Sequence, residues 1–262
     1  MSSLYTVQLG HGLGLIDETR VLLELWQPGM NAPALHRTAL ESGYFATISA
    51  RRLHDMIAVG FCPRYLINGA LPARLLKAIK GVLSRSELEQ LLFLYTARAH
   101  LVLADFVREI YWPAYTAGKQ TLGNGESLVF VEQAVRDGKT TSAWSSSMTK
   151  RMSSNLTSCC ADFGLLARGS LRVRKILPFR IEPLVATILA YDLHEAGLGD
   201  NQLLAHPDWA IYGLQRDDVL VELKRAALQG ALIIQAAAGV TRIGWKYKSM
   251  EELAHDIARR QL

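Results

Sequence analysis

Apolar positions along the chain recur mostly every three or four residues, the spacing of amphipathic helices. The strongest stripe runs through Leu88, Leu91, Leu92, Tyr95, Ala99, Val102, Leu103, Phe106 and Ile110. Ser84 and Glu87, three apart, make a capping box at its start, and Trp112-Pro113 bends or ends it. One long central helix is therefore predicted. Shorter helices are predicted over 17–26, 34–41, 49–59, 73–82, 183–196 and 217–228, punctuated by Pro28-Gly29, Gly43, Pro72 and Pro183. A closing helix over 249–260 has its own capping box, Ser249 and Glu252. Ala231–Gln235 and Thr241–Tyr247 read as strands that can pair as a hairpin.

The same pattern organises residues 127–175. A short apolar helix from Ser127 to Val135 ends at Asp137-Gly138. A second helix starts at the Ser145–Ser147 caps and buries Met148, Met152, Leu156, Cys159 or Cys160, and Phe163. Its opposite face then carries Ser147, Lys150, Ser153, Ser154 and Thr157, with Arg151 at the flank and no carboxylate. Gly164 is the expected stop and Arg168-Gly169-Ser170 a turn. In Leu171-Arg172-Val173-Arg174, apolar and basic residues alternate, so a strand would bury Leu171 and Val173 and expose both arginines. Helix, turn, basic helix and basic hairpin form the order of a winged helix-turn-helix.

Charge sharpens that picture. Residues 138–181 hold eight Lys/Arg and one acid, a balance of +7, whereas the whole chain is +5. The concentrated charge makes a field that attracts polyanions. A small, hydroxylated, cationic helix face can approach a phosphate backbone and send long side chains to base edges. The residues assigned to nucleic acid are Lys150, Arg151 and Ser154 on the helix, and Arg168, Arg172, Arg174 and Lys175 on the wing. A fainter copy lies upstream, where Ser49 caps a helix that opens with Arg51 and Arg52. Those two arginines either meet the groove of a duplex or pair with Glu41 and Asp55; both readings stay open.

Half the residues are apolar and a fifth charged, as in a folded globular protein. The N-terminus does not read as a signal peptide, and the longest uncharged run, 226–241, is too short and polar to span a bilayer. Three cysteines, two adjacent, make no disulfide framework and fit a reducing cytoplasm. Catalytic motifs fail on inspection. Gly10-His11-Gly12-Leu13-Gly14 follows no strand and misses the dinucleotide spacing. Gly138-Lys139-Thr140 lacks the first P-loop glycine, and Ser147-Met148-Thr149-Lys150 lacks its companion motifs. The seven histidines show no metal-ligand spacing, and His100, beside the central stripe, reads as a hydrogen-bonded, partly buried residue. No catalytic residue, metal or cofactor is expected.

The chain thus reads as a mainly α, multi-helix globular protein with two helix-turn-helix-like modules and short β-hairpin wings. Four regions are expected: an N-terminal helix-turn-helix-like region (1–70), a central long-helix region (71–120), a winged helix-turn-helix-like region (121–182), and a C-terminal helical region with the hairpin (183–262). Several segments resemble the BrxA family: Gly14–Arg20, the Ser-Ala-Arg-Arg-Leu helix start at Ser49, the helix with Asp105-Phe106, and Trp144-Ser145 through Asp162-Phe163-Gly164-Leu165-Leu166. The resemblance spans about residues 1–190, shorter members ending soon after the wing. It implies a non-enzymatic, double-stranded-DNA-binding component of BREX bacteriophage-exclusion systems. The alternatives are an adaptor that docks the larger BREX methyltransferase or ATPase subunits, and a helical RNA-binding regulator, which the long central helix would also suit.

Overall fold

The computed structural model describes residues 4–169, 172–237 and 240–259. The expected turn residue Ser170 and the expected buried Leu171 lie outside the described residues. Two compact units emerge: unit 1 is Met1–Arg74 with Leu92–Phe179, and unit 2 is Leu75–Leu91 with Arg180–Leu262. The architecture is mostly helical with two small antiparallel sheets.

Unit 1 opens with a 3-10 turn at Gln8–His11, then α1 (Ile16–Leu25) and α2 (Ala32–Glu41). The Ser49 hydroxyl accepts from Arg52 N–H and starts α3 (Ala50–Asp55). That helix continues through a π turn, Met56–Phe61, into α4 (Cys62–Tyr65). The chain passes into unit 2 within α5 (Leu71–Ile79) and returns to unit 1 within α6 (Arg85–Ala99), the latter opened by the predicted reciprocal cap: Ser84 N–H donates to Glu87 and Glu87 N–H to the Ser84 hydroxyl.

The long helix predicted from one stripe is two. His100 leaves helical geometry (φ −129°, ψ 89°), and the chain turns by 112° into α7 (Leu101–Phe106), a π turn (Val107–Tyr111) and α8 (Trp112–Thr116). Leu91 to Tyr95 and Ala97 are all buried, so α6 is covered on every side there and no single stripe sets its course. No single described helix is long and apolar enough to cross a membrane.

The rest of unit 1 is β1 (Thr121–Gly123), α9 (Asn124–Arg136), α10 (Ser146–Asp162) and β2 (Val173–Lys175). Ser145 caps α10 by accepting from Met148 N–H at 3.3 Å, and Gly164, at φ +75°, ends it. The strands pair antiparallel, with Leu122 opposite Arg174. On its other side β2 meets 165–167: Ala167 N–H donates to Lys175 O and Leu177 N–H to Leu165 O.

Side-chain alternation in β2 is the reverse of the prediction. Val173 is 55% exposed and Arg174 only 6%. Directly paired residues of antiparallel strands share a face, so the position opposite buried Leu122 points inward whatever its residue type. Arg174 tolerates this by donating to Ala167 O and the Ser158 hydroxyl.

Unit 2 contains α11 (Pro183–Glu195), α12 (Asp200–Leu204), a 3-10 turn (Pro207–Tyr212) and α13 (Arg216–Ala227). The predicted hairpin follows as β3 (Leu232–Ala237) and β4 (Val240–Trp245), in register from Leu232 opposite Trp245. The Tyr191 hydroxyl fastens it, donating to Ala231 O and accepting from Lys246 and Tyr247 N–H. The last helix, α14 (Met250–Arg259), is capped by Ser249 as predicted.

Candidate nucleic-acid interface

Close packing of α9 on α10 decides which hydroxyls remain open. The Ser153 hydroxyl donates to Asn124 O and lies 2.7 Å from that of Ser127, and Thr157 donates to the Asn124 side chain at 2.7 Å. Ser153 and Thr157 are therefore buried between the helices, not on the open face. Met152, Leu156, Cys159, Cys160 and Phe163 are buried as predicted, whereas Met148 is only half-buried. What stays exposed on α10 is Ser146, Ser147, Lys150, Arg151 and Ser154. Neither Lys150 nor Arg151 has an ion pair among the described residues; Arg151 rests on the Met148 sulfur at 3.1 Å.

On the segment after α10, Arg172 and Lys175 are exposed, again without an ion pair among the described residues. The other two predicted cations are engaged within the fold. Arg168 donates to Asp162 O at 3.2 Å, and Arg174 is buried as described.

Arg51 and Arg52 project from the start of α3, both exposed. The expected alternative, pairing with Glu41 or Asp55, is not found among the described residues; Asp55 instead faces His11 at 3.8 Å and His54 at 3.5 Å. With Gly10, His11, Ser49 and Asp55 the two arginines line a small cavity of about 230 Å³.

The turn 10–14 connects this region to α10. Gly14 N–H donates to the Asp162 carboxylate at 2.9 Å, and a Cβ on Gly14 would lie 2.5 Å from the Asp162 Cβ. A Cβ on Gly10 would lie 2.8 Å from the Asn155 side chain. From below, fully buried Arg64 donates to the carbonyls of Gly12 and Leu13. These glycines serve close approach of backbone to α10, which agrees with rejecting a phosphate-loop reading. Arg64, which by sequence adds to the basic side of the Arg51/Arg52 helix, is thus buried, and its role and that of Asp162 stay hidden in the sequence because a polar residue reveals its partner only after folding. The Asp105 carboxylate is likewise structural, accepting from the Tyr5 hydroxyl at 2.7 Å.

His100 departs from expectation. It is 2% exposed, and neither ring nitrogen has a hydrogen-bond partner among the described residues. Burial, reinforced by the Arg64 charge, pushes its pKa from 6.5 down to about 3. The folded protein thus keeps His100 neutral while the unfolded chain takes a proton below pH 6.5. Its contribution to stability is complete above pH 6.5 and is lost on acidification toward pH 3, at about 1.4 kcal/mol per pH unit. Urea unfolding across that window should show the loss, and His100→Leu should remove that slope.

Burial pushes the Cys159 and Cys160 thiols up, which suits packing and not thiolate chemistry. Among the described residues, no three His, Cys, Asp or Glu are grouped to hold a metal ion.

The class is therefore a mainly helical protein whose unit 1 carries exposed cations on one helix and on a short strand beside it. It shares its fold with a crystal structure of an uncharacterized protein from Magnetospirillum magneticum, at TM-score 0.55 and 15% identity, over 73% of this chain and 94% of that one. The BrxA family model matches residues 3–192, and the chain belongs to the BrxA family, the members of which are components of BREX systems. No curated protein matches the chain.

Proposed function

We propose that this chain is the double-stranded-DNA-binding component of a BREX phage-defence system, acting in the cytoplasm without catalysis of its own. The observation that carries the reading is the exposed set Lys150, Arg151, Arg172 and Lys175 within the order β1, α9, α10, β2. That order is the winged helix-turn-helix order, with α10 in the recognition position and the segment before β2 in the wing position. Ser147 and Ser154 add small donors beside the cations. The α2–α3 pair, with Arg51 and Arg52 in the first turn of α3, is a second such module on the same reading.

Charge supports the assignment. Unit 1 carries 17 Lys/Arg and 11 Asp/Glu, a balance of +6, whereas unit 2 carries 12 and 13, a balance of −1. Gel shifts at several salt concentrations test the reading. Duplex DNA should bind most tightly, with affinity falling steeply as salt rises. A preference for RNA or single strands under the same conditions would sink it.

Membership of the family also supports a second role, docking to other BREX subunits. One observation in unit 2 favours it: Val221, Leu228 and Ile233 are 59%, 87% and 64% exposed. Val221 and Leu228 are seven residues apart, two helical turns along one side, and unit 2 lacks the positive charge a nucleic-acid surface needs.

A further inference from the structure

Unit 1 has a second concave surface, on the side of α9 turned from α10. Asn124 and Ser127 face α10, while Val129, about 200° around the helix from Ser127, is 62% exposed. Beside it runs a groove of about 700 Å³ between the π turn and α8, β1, and α9. Ile110, Ala114, Leu122 and Val129 make its floor and walls apolar, and Glu109 and Glu126 bring two carboxylates to it. Lys119 also lines the groove.

A strand edge opens beside these carboxylates. Asn124 N–H donates to Arg172 O, and Ile176 N–H donates to Gln120 O, so Gln120, Leu122 and Asn124 bond inward to the β2 strand. Thr121 and Gly123, between them, turn their backbone groups outward. Glu126 takes the outward Gly123 N–H at 3.1 Å, which sets the edge against the groove. The Thr121 N–H and C=O have no backbone partner among the described residues.

We propose that this groove docks an extended segment of a partner protein, with an apolar side chain on the floor and an adjacent Lys or Arg against Glu109 and Glu126. Three features select that occupant. The apolar lining takes a side chain out of water. The two carboxylates, Glu109 without an ion pair among the described residues, match a cation. The outward N–H and C=O of exposed Thr121 offer strand addition, the mode by which extended peptides join a sheet edge. Polyanions are disfavoured there by the same carboxylates, so the inference does not depend on the nucleic-acid reading.

A random heptapeptide library displayed against the immobilised full chain tests it. Selected sequences should place an apolar residue next to Lys or Arg. A synthetic peptide of that consensus should lose at least about tenfold in affinity on Val129→Asp and on Glu109→Lys, measured by fluorescence anisotropy. Duplex-DNA affinity and circular dichroism should be unchanged in both variants. Selection of nothing, of acidic sequences, or of peptides indifferent to both substitutions would overturn the proposal. Concentration-dependent dimerisation abolished by Val129→Asp would assign the groove to a second copy and also overturn it. A joint loss of DNA affinity in both variants would make the groove part of the nucleic-acid surface, with the same consequence.

Discussion

Replacing Lys150, Arg151, Arg172 and Lys175 together by Ala is expected to weaken duplex-DNA binding on the order of 10³-fold at about 0.1 M salt and to flatten the salt dependence. Each phosphate contact contributes a slope of about −0.9 in log K against log salt, so the slope should flatten by about 1.8 if only the pair near β2 meets phosphates and by up to about 3.6 if all four do. The fold should persist, because all four side chains are exposed and none has an ion pair among the described residues. Within the set, the two members of α10 should differ from the two near β2. A base-reading residue costs about 1–3 kcal/mol on a preferred sequence and little elsewhere, whereas a phosphate contact weakens all sequences alike. Titrations of each pair of variants against several duplexes separate the two behaviours. An unchanged salt slope in the quadruple variant would move the site to the Arg51/Arg52 helix.

Arg174→Ala is expected to act on stability first. Its guanidinium is buried and satisfies Ala167 O and the Ser158 hydroxyl, so truncation orphans both and leaves a void beside Leu122 and β2. Losing two charge-assisted hydrogen bonds costs about 3 kcal/mol. That corresponds to a Tm lower by roughly 10 °C in a chain of this size. Arg172→Ala, two residues away and exposed, should stay within about 0.5 kcal/mol of the parent. Thermal unfolding followed by circular dichroism distinguishes them; equal Tm values for the two would contradict the placement of Arg174.

Local patterns were readable from the sequence where the decisive interactions are local. Caps at Ser49, Ser84, Ser145 and Ser249 bind backbone groups three residues away, so spacing alone locates them. The Met152–Leu156–Phe163 stripe and the β3–β4 hairpin follow from periodicity in the same way. The exposed cations of α10 also come from the chain itself, since long charged side chains stay in water unless a partner repays their burial.

Only the tertiary structure decided the rest. Ser153 and Thr157 look like surface residues until Asn124 and Ser127 arrive from α9 to accept and donate their hydrogen bonds. Arg174 looks like a wing cation until pairing opposite buried Leu122 turns its position inward, and the central stripe looks like one helix until the chain breaks at His100. Arg64 and the 10–14 turn are joined across about fifty residues of sequence, a distance over which no local period carries information. Burial of a polar group is stable only when a partner meets it, and the partner's position is a property of the packed fold.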